Sequence, residues 1–337
     1  MLQLLKEKDF GKLMKIGNIE FKNNLALAPM AGVADRAFRE LCIGYGAAYV
    51  TTEMVSAKGM IYDDRKTREL LDFTRSERPI AIQLFGSEPD VIAQAVKKVL
   101  EFKPDIIDLN MGCPAPKIVN SGSGSKLMKS PSLAAEIVKS AVNASTVPVT
   151  VKIRTGWDEE SVNAVEFAKL MESEGAAAIT VHGRTRKQMY SPGIDYDTIA
   201  QVKRAVNVPV IGNGGIKDIP TACEMLERTG CDMIMIGQGA LGRPWVFSEI
   251  DDYLRFCKIL PEPPVEMKLL TMIKHIEKIC EYKGEYVGIR EGRKHAGWYT
   301  KGLKNSAKYR RECGQISSLE ELRSWAVDII KEQKSYE

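Results

Sequence analysis

The stretch VPVIGNGG, residues 208–215, runs from an apolar strand directly into a glycine turn. The next apolar stretch, CDMIMIGQG at residues 231–239, repeats this order of features. Both runs are nearly continuous in apolar residues, which is typical of parallel strands that are covered on both faces. A helical pattern follows each of them. Residues 208–239 and their flanks therefore predict two successive strand–helix units.

Six similar stretches precede these two, at intervals of roughly 25–40 residues. They are NLALAPM (24–30), AAYVTTEM (47–54), PIAIQLFG (79–86), DIIDLNMG (105–112), VPVTVKIRTG (147–156) and AAAITVHG (176–183). Amphipathic helical segments lie between them, such as residues 159–175, which end on the helix-stopping Gly175. Eight such units predict an α/β fold, the (β/α)8 TIM barrel. A doubly wound open sheet is the alternative, although it rarely has eight such regular repeats.

The strand–helix alternation ends near residue 250, and the remaining sequence has only helical patterns. A linker-like segment, LPEPPVE at residues 260–266, stands near the start of this part. We therefore predict a barrel at residues 1–250 and a small all-helical C-terminal domain at residues 251–337. The length of 337 residues suits a barrel of about 250 residues with one smaller domain.

Composition indicates an ordinary soluble globular protein, with 44% apolar and 27% charged residues. No apolar stretch reaches the ~18 residues of a membrane span, and the N-terminal MLQLLKEKDFGKLMK is too charged for a signal peptide. The seven cysteines are scattered and never spaced C-x-x-C, which argues against disulfides or a zinc site. We therefore expect a cytoplasmic protein with no metal. Its net charge of +4 is too small to indicate nucleic-acid binding by itself.

Polar and glycine residues are concentrated where the predicted strands end. In TIM barrels the functional site lies at these carboxyl ends, whereas a purely structural role would place polar residues at both ends. The amino ends of the predicted strands show no such pattern. The carboxyl ends contain Pro29, Met30, Ala31, Glu53, Gln83, Asn110, Cys113, Lys152, Arg154, His182, Arg184, Asn213, Gly214, Gly215, Gly237, Gln238 and Gly239. The sequence therefore predicts a site at this end.

The glycine turns after the seventh and eighth strands indicate a phosphate site. Free backbone N–H groups in such turns, together with the dipole of the following helix, favour an anion. The other polar groups suit flavin mononucleotide (FMN): Gln83 is positioned to pair with the amide edge of the ring, and Lys152 to neutralise its N1–O2 edge. A charged partner there would favour the anionic reduced flavin. Taken alone, Lys152 is equally well interpreted as part of a structural ion pair.

Several motifs together resemble one family. They are LAPMAGVADRAFR, TEMVSAKG, QLFGSEP, LNMGCPAPKIVNSGSGSKLM, VKIRTGWD, HGRTRKQMYSPGIDY, IGNGGI and GALGRPWVF. In this order they resemble the tRNA-dihydrouridine synthases, most closely the bacterial B-type subfamily. The motifs that carry the resemblance follow one another closely over residues 17–250, and the match is weaker after residue 250. It implies a flavin-dependent (β/α)8 barrel with a helical domain, which reduces the C5–C6 bond of particular uridines in the tRNA D-loop with NADPH or NADH as electron donor.

The same resemblance assigns the catalytic role to Cys113, within the family's N-x-G-C-P motif, as the general acid. Hydride from flavin N5 would reach uridine C6, and Cys113 would protonate C5 from the opposite side. Pro114 and Pro116 would fix the backbone that aims the thiol, and the glycine–serine stretch behind them would allow movement over the substrate. The alternative for Cys113 is an inert, half-buried side chain. The other cysteines are interpreted as packing residues: Cys42, Cys223, Cys231, Cys257, Cys280 and Cys313.

The resemblance also implies the residues that contact the flavin and the substrate. The flavin contacts are Pro29, Met30, Ala31, Gln83, Lys152, His182, Asn213, Gly214, Gly215, Gly237 and Gln238. The candidates for holding the target uracil and a nearby phosphate are Asn110, Arg154 and Arg184. Two departures from the family pattern occur, NGG at 213–215 where N-G-D is frequent and GQG at 237–239 where G-R-G is frequent. Because Gln238 supplies no cation, backbone amides would hold more of the flavin phosphate and retention would be weaker.

Residues 290–311 contain eight Lys or Arg residues against one acid, with Trp298, Tyr299 and Tyr309 interleaved. Such a segment is often only a solvated helix face, but basic and aromatic residues together suit phosphate binding and base stacking. We predict a tRNA-binding surface here that includes Arg293, Lys301 and Lys304. Five further cations near the barrel mouth would extend it: Arg36, Arg39, Lys117, Lys126 and Lys129.

Three other functions remain open from the residues alone. A dihydroorotate- or dihydropyrimidine-type flavoenzyme would act on a free base and would need no basic tail. A non-catalytic tRNA-binding protein would not need Cys113, Lys152 and His182. A phosphosugar enzyme would explain the glycine turns but not Cys113 or the tail. Which uridine is modified and the oligomeric state are not readable from the sequence, although a monomer is expected.

Overall fold

The computed structural model describes residues 14–62 and 64–336, apart from the side chains of residues 65 and 66. The expectation about a signal peptide concerns residues that lie mostly outside this range. Eight parallel strands close into a barrel, and a ninth short strand of the same sheet, Val55–Ser56, pairs with the third of them. The eight barrel strands are β1 Leu25–Leu27, β2 Tyr49–Thr51, β3 Ile80–Phe85, β4 Ile106–Asn110, β5 Val149–Arg154, β6 Ala178–His182, β7 Val210–Asn213 and β8 Met233–Ile236. The predicted (β/α)8 barrel is confirmed, and each strand is shorter than its apolar run.

A helix follows each strand on the outside of the barrel. These helices are α1 Arg36–Gly44, α2 Ala57–Ile61, α3 Pro89–Val99, α4 Pro131–Ala144, α5 Ala164–Ser173, α6 Tyr196–Ala205, α7 Ile219–Thr229 and α8 Val246–Phe256. Their apolar faces and the strands form the main core. Gly175, just beyond α5, has a φ of +97°, a conformation that favours glycine and ends the helix as predicted.

The amino end of the barrel is filled by its own side chains and by a small hairpin. The hairpin strands are Lys15–Ile16 and Ile19–Glu20, paired antiparallel. Ile16 and Phe21 are buried against the barrel interior, and the Phe21 ring lies 5.2 Å from that of Tyr49. This packing fills the amino end of the barrel, and the cavity described below opens at the carboxyl ends of the strands.

The C-terminal region is helical, as predicted. Its helices are α9 Val265–Lys283, α10 Glu285–Tyr299, α11 Ser306–Glu312 and α12 Leu319–Lys334. The predicted boundary at residue 250 stays a prediction; residue 250 lies within α8, and Ile250 is buried in the barrel core. Among the described residues, no helix is both long and apolar enough to span a membrane.

The helical region packs against α1 and the loop before it. Tyr45 and Thr271 share a hydrogen bond of 3.0 Å, and the Tyr282 hydroxyl donates to Glu40 at 2.5 Å. Lys294 Nζ donates to the carbonyl of Gly32, in the loop that follows β1. The tail is therefore joined directly to the loop next to Pro29–Ala31.

The packing role predicted for six cysteines holds for five of them. Cys42, Cys223, Cys231, Cys280 and Cys313 are buried, whereas Cys257 is exposed. Cys257 caps α8 in a left-handed conformation, with a φ of +53°, and residues 255–259 are all exposed. The prediction for Cys257 was wrong because an apolar-looking neighbourhood at the end of an amphipathic helix does not fix which side of the helix a residue faces.

Candidate active site

The carboxyl ends of the strands open into one cavity of about 1630 Å³. It extends past the barrel to the helical region, where Trp298 contributes to its wall. All but two of the residues assigned to catalysis, the flavin or the substrate line it: Pro29, Met30, Ala31, Gln83, Asn110, Cys113, Lys152, Arg154, His182, Arg184, Asn213, Gly214, Gly215, Gly237, Gln238 and Lys301. Arg293 and Lys304 do not line it. Glu53, which the sequence also places at this end of the barrel, does not line it either.

A chain of hydrogen bonds beneath the cavity connects Asp108 to Cys113. Gln83 Nε2 donates to the Asp108 carboxylate at 2.6 Å, and Thr150 Oγ1 donates to its other oxygen at 2.6 Å. Asn110 Nδ2 donates to Gln83 Oε1 at 2.9 Å, while Asn110 Oδ1 accepts from the backbone N–H of Cys113 at 2.8 Å. Because a carboxylate only accepts, Asp108 determines which way both amides point.

Asp108 was missed by the sequence analysis. Its signal was available, since a carboxylate stands inside the apolar run of β4 two residues before Asn110 and therefore on the same face. Gln83 and Thr150 are its register partners on the neighbouring strands, which puts their side chains within reach. Burial raises the pKa of Asp108 to about 6.

Cys113 lies just beyond the end of β4, in the cavity wall. Burial raises the pKa of its thiol above the ordinary value, so the thiol is protonated at neutral pH. The backbone before it is held by Arg154, whose Nε donates to the carbonyl of Gly112 at 2.7 Å. Arg154 Nη1 donates to the carbonyls of Thr185 and Met189 at 2.9 and 3.1 Å. Arg154 is thus largely occupied by the backbone of two loops.

The middle of the glycine–serine stretch packs against the backbone of Cys113, whereas Ser121 at its start is exposed, and movement over a substrate stays a prediction. Ser123, Gly124 and Ser125 are all buried, and the backbone N–H of Ser125 donates to the Cys113 carbonyl at 3.0 Å. Gly124 has a φ of +60°, and a Cβ at this position would lie 2.8 Å from the Cys113 carbonyl oxygen. Glycine is needed there because the two backbone segments touch.

Lys152 is the cation at the centre of the site. Its Nζ donates to Asn213 Oδ1 at 2.8 Å, and Asn213 Nδ2 donates to the Met235 carbonyl at 2.7 Å, which fixes the amide orientation. Burial, followed by repulsion from Arg154, lowers the pKa of Lys152 to about 7. An anionic group bound beside Lys152 would restore its charged form.

His182 stands between Lys152 and the first glycine turn. Burial, followed by repulsion from Lys152, lowers the pKa of His182 well below its ordinary value, so the ring is neutral. Its Nε2 lies 3.3 Å from Arg184 Nη1, which can only donate. Arg184 also donates its Nε to the Ser191 carbonyl at 2.7 Å. A neutral imidazole with Nε2 as acceptor is the form this arrangement requires.

The two turns after β7 and β8 need glycine because neighbouring groups approach them closely. Gly214 and Gly215 have φ values of +115° and +73°. A Cβ on Gly214 would lie 2.8 Å from the His182 ring, and a Cβ on Gly239 would collide with the Ile216 carbonyl. Asp218 caps α7 and accepts from Thr221 N at 3.0 Å, so the helix dipole is partly neutralised by its own cap. An anion here would therefore be held chiefly by the turns.

The basic tail segment differs from its expected form. Tyr299 and Tyr309 are buried at 2% and 1% exposure, so the prediction that they stack on bases was wrong. Helix α10 turns Tyr299 into the domain core. Arg293 donates its Nε to the Ile316 carbonyl at 2.8 Å, within the domain. Lys304 is exposed and lies 3.7 Å above the Tyr336 ring, while Trp298 is half-buried.

Two of the five cations expected to extend this surface are occupied by carboxylates. Arg39 is 1% exposed and donates to Glu77 at 2.7 Å, so its assignment to an RNA surface was wrong. Arg36 pairs with Asp72 at 2.7 Å and also with Glu40. The other three, Lys117, Lys126 and Lys129, are exposed at the barrel mouth.

Two solved structures resemble this chain in fold. Histamine dehydrogenase from Rhizobium sp. 4-9 superposes with a TM-score of 0.58 at 14% identity, over 80% of this chain and 51% of that one. An old yellow enzyme homologue from Zymomonas mobilis gives 0.54 at 13% identity, over 77% of this chain and 96% of that one. At these identities the likeness concerns the barrel fold alone.

Curated relatives are much closer in sequence. A probable tRNA-dihydrouridine synthase of Rickettsia bellii is 46% identical over 299 residues, covering 88% of this chain and 92% of the relative. The tRNA-dihydrouridine synthase B of Vibrio vulnificus is 43% identical over 305 residues, covering 90% and 95%. The same-named protein of Pseudomonas aeruginosa is 42% identical over 304 residues, covering 90% and 92%.

Fold and site together define a (β/α)8-barrel protein with a cationic, glycine-lined cavity and a protonated cysteine in its wall. A sequence model described as dihydrouridine synthase (Dus) matches residues 26–334. This chain belongs to the dihydrouridine synthase family, as its motifs predicted.

Proposed function

We propose that this protein reduces the C5–C6 double bond of uridines in the tRNA D-loop to 5,6-dihydrouridine, with FMN as cofactor and NADPH or NADH as electron donor. The names of the relatives support the reaction and the tRNA substrate. The observation that carries the proposal is the meeting of a protonated Cys113 with Lys152 and two glycine turns in one cavity. Such a set suits a flavin and a proton donor to carbon.

The residues present fit FMN. The glycine turns at residues 214–215 and 237–239, which line the cavity, suit the single phosphate of a mononucleotide. Lys152 and the Gln83 amide are suited to the polar edge of a flavin ring, with His182, Asn213 and the Pro29–Ala31 backbone beside it. When bound, the flavin supplies the hydride that reduces C6 of the uracil. Gly237 and Gln238 would complete the phosphate turns, and Lys217, an exposed side chain on the cavity wall, offers a cation near Gln238.

Cys113 gives its proton to C5 in this proposal. A thiol whose pKa is raised by burial holds its proton at neutral pH, which a general acid requires. Asn110 is suited both to bind the uracil edge and to fix the Cys113 backbone, because its amide borders the cavity. Arg184 is assigned to the substrate, and Arg154 is assigned to holding the two loops that enclose it.

The helical region, predicted as residues 251–337, is proposed to bind tRNA, with its boundary moved to the segment between α8 and α9. Lys301 lines the cavity and Lys304 is exposed on the same segment, which supports a role for both. Arg293 is bonded within the domain, so we assign it to holding that segment in place. A cytoplasmic location and a monomeric state remain expectations.

Three measurements on the purified protein and its substrate test the proposal. The protein should release FMN on denaturation, and tRNA from a strain lacking the protein should lose dihydrouridine at defined D-loop positions, mapped by mass spectrometry. Wild-type protein should restore these positions, whereas Cys113→Ala should not. Release of FAD, an unchanged dihydrouridine content in the deletion strain, or turnover of free uracil or orotate but not tRNA would each reject the proposal.

A further inference from the structure

Three cations converge on one aromatic ring at the barrel mouth. The ring belongs to Trp157, which follows β5, and its centroid lies 5.6 Å from Lys126 Nζ and 5.1 Å from Lys129 Nζ. The guanidinium carbon of Arg186 lies 4.8 Å from the same centroid. Trp157, Lys126, Lys129 and Arg186 together are called the Trp157 platform below.

Backbone contacts hold the platform together. Arg186 N donates to the Gly156 carbonyl at 2.9 Å, and Lys187 N donates to the Trp157 carbonyl at 3.0 Å, which joins the loops after β5 and β6. Asn163 Nδ2 donates to the Met128 carbonyl at 2.8 Å and so fixes the turn between the two lysines. The backbone positions from which the three cations extend are therefore set by the fold.

The charges of the platform are not neutralised by the protein. Within residues 14–62 and 64–336, no carboxylate forms an ion pair with Lys126, Lys129 or Arg186, whereas the adjacent Lys187 is paired with Asp158 at 2.8 Å. Arg186 Nε is also buried without a hydrogen-bond partner. Three like charges around one ring repel one another unless an anion joins them. The arrangement therefore indicates an anionic ligand with several acceptor oxygens.

The platform adjoins the residue assigned to proton transfer. Lys126 directly follows Ser125, whose N–H is bonded to the Cys113 carbonyl at 3.0 Å. The segment that supplies both lysines, residues 124–129, begins at Gly124, in contact with Cys113. The platform therefore stands on the barrel loops after β4, β5 and β6, the first of which also carries Cys113, and none of its four residues belongs to the helical region.

We propose that the Trp157 platform binds phosphates of the RNA strand that flanks the target uridine. The ligand class is a single-stranded polynucleotide backbone, which offers phosphates at regular spacing to a cationic rim. The indole ring holds the cations by cation–π contact and is not itself a base-stacking surface. This inference rests on the proposed function and adds a second RNA contact to that of the helical region.

The test compares the flavin-loaded wild type with Lys126→Ala/Lys129→Ala. As a matched control, Lys97→Ala/Lys139→Ala removes two exposed lysines from the outer helices α3 and α4. Binding of unmodified tRNA is measured over a range of salt concentrations. The platform variant should bind about 10–100-fold more weakly at low salt, and its log–log salt slope should fall by about 0.7–0.9 for each phosphate that it no longer neutralises. The control should match the wild type.

A second pair of variants keeps the result interpretable. Trp157→Phe retains an aromatic ring and should keep most of the salt slope, whereas Trp157→Ala should lower it; flavin absorbance and the unfolding temperature report whether each variant is folded. A platform variant with wild-type affinity and slope would overturn the inference. A wild-type protein that bound no tRNA would instead overturn the proposed function, and the RNA ligand with it.

Discussion

Cys113 is a cysteine whose environment suits it to keep a proton. Burial raises the pKa of its thiol, and nearby Arg154 and Lys152 offset only part of this effect. A cysteine nucleophile needs the opposite environment, in which cations lower the pKa of the thiol. The electrostatics of the wall therefore favour proton donation over nucleophilic attack.

We predict that Cys113→Ala keeps its flavin and the reduction of that flavin by NADPH but turns over tRNA about 10²–10⁴-fold more slowly, because general acid assistance is lost. Cys113→Ser is the matched control for shape, since it keeps a donor of much higher pKa. Turnover is measured as dihydrouridine formed per flavin. A Cys113→Ala variant with near-normal turnover would remove the residue from the mechanism.

Asp108 is a positioning residue that acts through Gln83 and Asn110. Its two oxygens accept from Gln83 and Thr150, and all three side chains are buried. Loss of the carboxylate leaves two donors without a partner, which costs about 1–3 kcal/mol for each buried group and frees the Gln83 amide to turn.

We predict that Asp108→Ala weakens flavin binding and lowers turnover by about 10–100-fold, because small displacements at a site are amplified in rate. Asp108→Asn should recover most of both, since its oxygen accepts from Gln83 while its amide donates to the Thr150 hydroxyl. Flavin dissociation constants and turnover are measured for both variants. If asparagine were no better than alanine, the hydrogen-bond role would be refuted.

The contact between α1 and helices α9 and α10 contains two buried histidines. His275 stacks on Phe38 of α1 with ring centroids 5.3 Å apart, and the His295 ring lies 4.4 Å from that of His275. His275 Nε2 and His295 Nδ1 are buried without hydrogen-bond partners. Burial lowers the pKa of His275 to about 4 and lowers that of His295 well below its ordinary value. Both rings are neutral at neutral pH.

The lowered pKa of His275 makes the free energy of unfolding depend on pH. The ordinary pKa of 6.5 applies to unfolded His275, against about 4 in the folded protein, so the unfolded chain binds more protons between these values. Stability therefore falls as the pH drops below 6.5, by about 2 kcal/mol from pH 7 to pH 5 for His275 alone. We predict that the free energy of unfolding of His275→Phe falls less than that of the wild type between pH 7 and pH 5, and that the difference is about 2 kcal/mol. Urea unfolding at both pH values measures it, and an equal loss in both proteins would contradict the assignment.

The whole chain presents tRNA with two proposed basic surfaces, one on the helical region and one on the barrel rim. The helical surface is smaller than the sequence predicted, because Tyr299, Tyr309 and Arg293 face the domain interior. Lys301 and Lys304 remain exposed. Since the residues proposed to contact the flavin belong to the barrel, we expect RNA binding and flavin chemistry to be separable.

We predict that Lys301→Glu/Lys304→Glu weakens tRNA binding and lowers its salt slope by about 0.7–0.9 for each phosphate that is no longer neutralised, while flavin content and NADPH oxidation remain unchanged. Arg293 is left intact because its replacement would release the Ile316 carbonyl. Lys97→Glu/Lys169→Glu, on the outer helices α3 and α5, is the charge-matched control. Tight tRNA binding with an unchanged slope would show that this segment is only a solvated face.

The barrel was predictable because its information is local. Each parallel strand must be apolar along its length, and each must end where polar residues meet solvent, so VPVIGNGG and its counterparts reveal both the strands and the site edge. Gln83, Cys113, Lys152 and His182 were found by this rule, and all line the cavity. The family motifs are also short local stretches of sequence, and from them the chemical roles of these residues were predicted.

The partners of side chains were not predictable, because they come from distant parts of the chain. Arg39 looks like a surface cation until Glu77, 38 residues away, is folded against it. Asp108 gains its role only from register with Gln83 and Thr150. Tyr299 and Tyr309 are buried by helices of the C-terminal region, and no local sequence pattern sets how those helices are oriented. Sequence periodicity sets which residues share a face, whereas the docking of elements decides whether that face meets water, a carboxylate or another helix.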